Sequence, residues 1–128
     1  MRPPEWPRPK GYAYSVEAQG RLVFVSGIVG KDPRTHAFPD GFLPQVRQAL
    51  TNILAILHQS NATPADIVRM TWYVADKAEY LATPKELGVV YREVMGRHFP
   101  SMTAIEAGLM EEKARIEIEV TAVVAHAR

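Results

Sequence analysis

The spacing of apolar positions changes repeatedly along the chain, and each change marks an element. Residues 12–18 and 21–26 have strand composition, the second holding the apolar run Leu22-Val23-Phe24-Val25, and Gln19-Gly20 between them reads as a turn. Gly27, Gly30, Pro33, Pro39 and Asp40-Gly41 punctuate residues 27–41 and predict a loop there. From Phe42 the period becomes three to four. Phe42, Val46, Ala49, Leu50, Ile53, Ile56 and Leu57 make one apolar stripe, with Gln45, Arg47, Gln48, Asn52 and Gln59 mainly on the other faces, the pattern of an amphipathic helix. After Pro64-Ala65-Asp66 a strand returns: Val68, Met70, Trp72 and Val74 share one face, Arg69, Thr71 and Tyr73 the other. A second helix is predicted with Thr83 as N-cap, Pro84 at the first helical position and Glu86 three residues on. Its stripe is Leu87, Val90, Tyr91, Val94 and Met95, and Gly96 ends it. Residues 102–106 read as a short strand. Residues 114–124 read as a long one, with Ile116, Ile118, Val120, Ala122 and Val124 alternating with Arg115, Glu117, Glu119, Thr121 and Val123.

The order is thus β-β-α-β-α-β-β, in one domain over 11–128. Two amphipathic helices covering one face of a sheet make a two-layer α+β sandwich. The opposite face would carry Glu117, Thr121, Val123, Tyr73 and Thr71, a mixture too apolar for a purely solvated sheet, which points to contact with another subunit. Ahead of the domain, residues 1–10 hold prolines at 3, 4, 7 and 9. Proline fixes φ and donates nothing to a ladder, so this arm is expected to run extended over the surface. Trp6 among Arg2, Arg8 and Lys10 is its one candidate recognition feature.

Composition narrows the function classes. A chain of 128 residues, 47% hydrophobic and 23% charged, is long enough for one packed core. With 15 basic and 14 acidic residues the formal charge is +1, so charge does not point to a nucleic acid. There is no cysteine, which excludes disulfides, thiolate metal sites and a cysteine nucleophile. The N-terminus lacks the apolar core of a signal peptide, and no apolar run approaches the ~20 residues of a membrane span. A cytoplasmic protein without membrane contact is expected, and the Asn61-Ala62-Thr63 sequon is read as chance.

Candidate chemistry is sparse. His36, His58, His98 and His126 have no partners at metal-ligand spacing, so no metal is expected. Gly27-Ile28-Val29-Gly30 lacks the third glycine and the Lys-Ser/Thr of a phosphate loop, and Ser26 stands in no nucleophile elbow. Among the acids, Glu106, Glu117 and Glu119 stand out, the last two sharing a strand face with Arg115. On a solvated face they form a salt-bridged surface. Against a neighbouring subunit, Glu117 becomes a partly desolvated carboxylate able to hold a water.

Several motifs in order carry a resemblance. They are Gly11-Tyr12-Ala13-Tyr14-Ser15, Val23-Phe24-Val25-Ser26-Gly27, Gln45-Val46-Arg47-Gln48-Ala49-Leu50-Thr51-Asn52-Ile53, Asp66-Ile67-Val68-Arg69-Met70-Thr71-Trp72-Tyr73-Val74, and Ala114-Arg115-Ile116-Glu117-Ile118-Glu119-Val120-Thr121. From about Gly11 to the C-terminus the chain resembles the RidA/YjgF family, also labelled the endoribonuclease L-PSP family. That resemblance implies a chorismate-mutase-like fold, a homotrimer with a small-molecule pocket at each subunit interface, and no cofactor. It also implies hydrolysis of 2-imino acids, in which water adds to the C=N carbon and ammonia leaves to give a 2-oxo acid. Such chemistry needs a cationic anchor for the carboxylate, an ordered water and donors for the imine nitrogen. In the family the anchor is an arginine on the strand after a Phe-Pro turn, whose fork suits a carboxylate.

Here that strand reads Phe99-Pro100-Ser101-Met102-Thr103-Ala104-Ile105-Glu106, and Met102 stands at the anchor position. Ala104 takes a place often held by cysteine, Gly88 that of a pocket-lining asparagine, and Ile28 that of a glutamine. Tyr14, Ser26 and Glu117 match the pattern, with Gly27 beside Ser26. The water-holding carboxylate is therefore present and the substrate anchor is not. A lost charge-assisted hydrogen bond is worth about 1.5–3 kcal/mol, and methionine adds a flexible apolar wall instead. Arg115, two residues before Glu117, is a substitute anchor if it does not simply pair with Glu117 or Glu119. Four readings stand: a divergent member binding a more apolar or differently charged ligand, a 2-imino acid deaminase with a displaced anchor, a ribonuclease or translation inhibitor, and an interaction module with a vestigial pocket. Near-neutral charge and the lack of a paired histidine or histidine–lysine constellation weigh against the third, and the first is favoured.

Overall fold

In the computed structural model, which describes residues 1–126, the elements run β1 (Arg21–Val29), α1 (Phe42–Gln59), a 3-10 turn (Pro64–Asp66), β2 (Ile67–Val74), α2 (Lys77–Ala82), α3 (Pro84–Met95), β3 (Ser101–Glu106) and β4 (Ile116–Val124). Positions 127 and 128 of the domain expected over 11–128 lie outside the described residues. The strands form one mixed four-stranded sheet in the order β1-β4-β2-β3. β4 runs antiparallel to both β1 and β2, while β3 is parallel to β2. α1 packs on β1 and β4 with α3 beside it, giving the two-layer α+β architecture that the periodicity predicts.

The two periodicities meet in one core. Ile116, Ile118, Val120 and Ala122 of β4, with Met70, Trp72 and Val74 of β2, are buried against Val46, Leu50, Ile53 and Leu57 of α1 and Val90 and Met95 of α3. Each large side chain so buried contributes about 1.5–3 kcal/mol, and shifting a strand by one residue would expose its whole apolar set. Register is thereby fixed. Gly96 ends α3 at φ 75°, in the left-handed region where a side chain would be strained.

Residues 12–18 form no strand, which makes the order β-α-β-α-α-β-β. Ala13 alone bridges Ser101, its N–H donating to the Pro100 carbonyl at 3.0 Å. The apolar surface of this segment is covered locally instead: Tyr14 meets Trp6 edge-on at 5.0 Å and Tyr12 at 5.8 Å. The arm is held down by its N-terminal ammonium, which donates to the Ser15 carbonyl at 2.8 Å. β1 continues through Ser26-Gly27 to Val29 rather than ending at Ser26, because a bulge between Val25 and Ile28 absorbs the extra residue.

Two helix details also differ from the sequence pattern. The first is α2, which the apolar spacing does not predict. Asp76 caps it by accepting from the Ala78 N–H at 2.9 Å, and its last turn takes up the Thr83 hydroxyl, which donates to the Glu79 carbonyl at 3.4 Å. With Thr83 so engaged, the capping box with Glu86 does not form. The second is in α1, where Ile56 is 39% exposed while Gln45 is only 2% exposed. The Gln45 Nε2 donates to the carbonyls of Pro39 and Lys113 at 3.1 and 3.0 Å, and its Oε1 accepts from the Arg115 N–H at 2.8 Å. A fully satisfied amide can be buried, and this one holds the chain just before β4, which begins at Ile116 rather than at Ala114.

Candidate functional site

Glu117 lies on β4 with Val29 of β1 on one side and Tyr73 of β2 on the other, on the sheet face turned away from the helices. Strand alternation puts it there, since Ile116 and Ile118 point into the core. Beneath its carboxylate is Gly27. A methyl built on Gly27 would land on Glu117 Oε2 and stand 2.9 Å from the carboxyl carbon, so a residue without a side chain is what leaves the acid its place. Glu117 is half-buried and forms no ion pair among the described residues. Its neighbour Glu119 is engaged, accepting from the Tyr73 hydroxyl at 2.6 Å. That hydrogen bond raises the Tyr73 pKa, with desolvation and the two carboxylate charges adding to it. Of the two acids, Glu117 is the one that accepts no hydrogen bond among the described residues, and Ser26 stands exposed in the bulge beside it.

Met102 and Ala104 belong to the other face. In parallel register Met102 pairs with Met70 and Ala104 with Trp72, so both point to the helix side. Met102 and Gly88 line a cleft of about 680 Å³ between β3, α3 and the chain at Lys10-Gly11. Its floor and walls are apolar: Met70, Trp72, Phe99, Leu87 and Tyr91 line it. The buried Tyr91 hydroxyl donates to the His98 carbonyl at 2.6 Å, and desolvation pushes its pKa up to about 12. The buried Trp72 Nε1–H has no acceptor among the described residues. Ala104 is exposed near the end of β3, and the Tyr14 ring is packed between Trp6 and Tyr12.

The eight residues singled out by sequence therefore fall into separate places. Glu117, Gly27 and Ser26 come together on the open face; Gly88 and Met102 come together in the cleft. β2 lies between β3 and β4, and Ile105 rather than Met102 is level with Glu117 through Tyr73, so Met102 is two strands across and three residues along, about 14 Å away at the usual strand spacings and on the opposite side of the sheet. Arg115 joins neither. Its guanidinium donates to both carboxylate oxygens of Glu79 on α2, at 3.1 and 3.2 Å, rather than pairing with Glu117 or Glu119. No group of three metal-ligating side chains occurs among the described residues. One cleft residue is not among those singled out by sequence: Arg92, which lines the cleft one turn after Gly88.

The family model described as Endoribonuclease L-PSP matches residues 7–124. A RutC family protein of Haemophilus influenzae is 33% identical over 104 residues, covering 81% of this chain and 80% of that protein. A 2-iminobutanoate/2-iminopropanoate deaminase of Capra hircus is 31% identical over 104 residues, covering 80% of this chain and 73% of the relative. Among solved structures, the Rid family protein YyfB of Yersinia pestis, described as of unknown function, superposes with a TM-score of 0.79 at 28% identity, covering 94% of this chain and 95% of that one. Motif order, fold and these likenesses agree, and the chain belongs to the Endoribonuclease L-PSP family, also called RidA/YjgF.

Proposed function

We propose that this protein assembles as a homotrimer with a small-molecule pocket at each subunit interface, and that the pocket takes a ligand more apolar than 2-iminobutanoate. The observation that carries this reading is the separation of the site across the sheet. Glu117 on the open face and the Met102–Gly88 cleft on the helix face cannot act on one ligand within a single chain, whereas the open face of one copy set against the β3 edge of another brings them together. The open face supports association independently, since Phe24 is 75%, Leu22 59% and Ile105 47% exposed on it.

In this pocket Glu117 is the water-holding carboxylate. It takes a proton as water adds to the C=N carbon and hands it to the nitrogen; the carbinolamine hydroxyl then gives its proton back to the carboxylate as the C–N bond breaks, releasing ammonia and leaving a carbonyl, and that proton passes to solvent. The deaminase name of the Capra hircus relative supports this reaction class. Met102 in the cleft, where the resemblance implies a cationic anchor, supports the change of ligand. RNA cleavage has less support: the His98 Nε2 is engaged with the Ile67 carbonyl at 2.7 Å.

Ammonia release from imines generated in situ tests the reading. The protein should accelerate hydrolysis of 2-imino-3-phenylpropanoate more than that of 2-iminobutanoate, Met102→Arg should raise the latter, and Glu117→Gln should abolish both. Preference for 2-iminobutanoate would overturn the ligand assignment in favour of an ordinary deaminase. Full activity in Glu117→Gln would overturn the role of the acid. Light scattering that found a monomer would remove the interface pocket altogether.

A further inference from the structure

The cleft beneath α3 is charged in one sign only. Lys10, Lys85 and Arg92 line it, and no aspartate or glutamate does. None of the three cations forms an ion pair among the described residues; the arginines and lysines that do are Lys31, Arg47 and Arg115. Lys85, Gly88 and Arg92 succeed one another at three- and four-residue steps and so share one face of α3, next to the apolar stripe of Leu87 and Tyr91. Apolar walls with an uncompensated cationic rim are the complement of an amphipathic anion.

Gly88 decides which cation is delivered. Its missing side chain leaves room for the Arg92 guanidinium: a Cβ at 88 would stand 3.1 Å from Arg92 Nη1 and 3.8 Å from Cζ. The guanidinium thus lies folded back across the glycine, inside the cleft that Met102 also lines. An asparagine at 88 would claim that space. The absence of a cation at 102 and the absence of a side chain at 88 are therefore linked: the second lets a different residue, from the helix rather than the strand, present a fork of N–H donors to the same cavity.

We propose that Arg92, made reachable by Gly88, is the anion anchor of this cleft, and that the ligand is a monocarboxylate with an aromatic or bulky aliphatic body packed against Met70, Trp72, Phe99 and Met102. Lys10 and Lys85 add long-range attraction at the rim, where solvent and salt screen them. The inference rests on the reading that the pocket takes a ligand more apolar than 2-iminobutanoate, and it names what holds that ligand.

Calorimetric titration of the full-length protein with 3-phenylpropanoate and with its neutral amide separates anchor from body. The acid should bind at least about tenfold more tightly than the amide, the range of one charge-assisted bidentate contact. Arg92→Gln should weaken the acid by a similar factor and leave the amide unchanged, and Gly88→Asn, which displaces the guanidinium, should do the same. Arg92 is exposed, so these variants are expected to fold; Arg92→Lys, keeping charge without the fork, gives an intermediate affinity. Equal affinity for acid and amide, an Arg92→Gln protein that binds the acid as the parent does, or no binding of the acid at millimolar concentration would each overturn the assignment. The binding readout needs no turnover. Acid binding that depends on Arg92 in a protein without imine hydrolysis would uphold the anchor and sink the hydrolase reading. Hydrolysis with a KM indifferent to Arg92→Gln would sink the anchor and uphold the hydrolase.

Discussion

Gln45 is the side chain whose replacement should most damage the scaffold under Glu117. Its amide makes three hydrogen bonds at 2.8–3.1 Å to backbone groups of Pro39, Lys113 and Arg115, and it is 2% exposed. Gln45→Met keeps the volume and removes all three. Three net hydrogen bonds are worth about 1 kcal/mol each, and a buried backbone group left unmet adds about 1–3 kcal/mol. Pro39 and Lys113 lie near solvent and can recruit water, which leaves one lost bond and the orphaned Arg115 N–H, so a loss of about 2–4 kcal/mol is expected. Gln45→Glu dissects this further. Its carboxylate still accepts from Arg115 but faces two carbonyls with no donor, so its loss at pH 7 should shrink as pH falls and the acid gains a proton. Urea unfolding at fixed protein concentration reads both, the concentration being held because association stabilises the folded state. A loss below about 1 kcal/mol in Gln45→Met would refute the claim that this amide clamps the two loops.

Gly27→Ala should cost little stability, about 0.5–1.5 kcal/mol for a displaced Glu117 rotamer, yet lower imine hydrolysis by up to ~100-fold through misplacement of the carboxylate; unchanged turnover would show that the acid does not hold the water. Arg115→Ala should shift stability by less than about 1 kcal/mol, because its pair with Glu79 is partly exposed, and should leave 3-phenylpropanoate affinity unaltered; a drop in affinity would return Arg115 to the pocket. Tyr91 has a folded-state pKa of about 12 against a usual 10.0, so the native state holds its proton more tightly and the contribution is complete below pH 10 and lost as pH rises towards 12. Parent and Tyr91→Phe proteins should therefore converge in urea midpoint between those pH values, and parallel curves would count against the burial argument. Phe24→Glu should disperse the proposed assembly to monomers in light scattering, since Phe24 is the most exposed aromatic of the open face, and an oligomer left intact would move the interface elsewhere.

How much of the fold was legible depends on which forces act locally. α1, β2, α3 and β4 could be read because each carries one buried stripe long enough to fix its period, as in Val46, Leu50, Ile53 and Leu57 or in Ile116, Ile118, Val120 and Ala122. Residues 12–18 misled because tyrosine and valine favour strands, whereas in the fold Tyr14 packs edge-on against Trp6, a residue in a segment that composition marks as a tail. Gln45 misled for the complementary reason. An amide counts as polar in any periodicity, and only the convergence of Pro39, Lys113 and Arg115, up to 70 residues away in sequence, makes its burial favourable.

The same distinction governs the site. Glu117 could be singled out from strand alternation and the family pattern together, but its freedom to accept depends on Tyr73 having taken Glu119 instead, a cross-strand choice that no spacing rule gives. Arg115 is close to Glu117 in sequence, which suggests either a pair with Glu117 or Glu119 or a substitute anchor; α2, which no periodicity marks, supplies Glu79 and takes the guanidinium away from both. The signal for Arg92 was present all along. Its neighbours three and four residues away, Gly88, Val89, Met95 and Gly96, include no acid, and the adjacent Glu93 is claimed by Arg47 at 2.6 Å. An arginine with no local carboxylate, one turn from a glycine on an amphipathic helix, is free to face a cavity if the fold provides one. The charge was thus readable from the helix alone, whereas the cavity required β3 to lie parallel beside β2 with Met102 next to Met70. In this chain the acid and the cation of the candidate site come from opposite faces of one sheet, so they can meet on one ligand only across the proposed interface between copies and not within any segment.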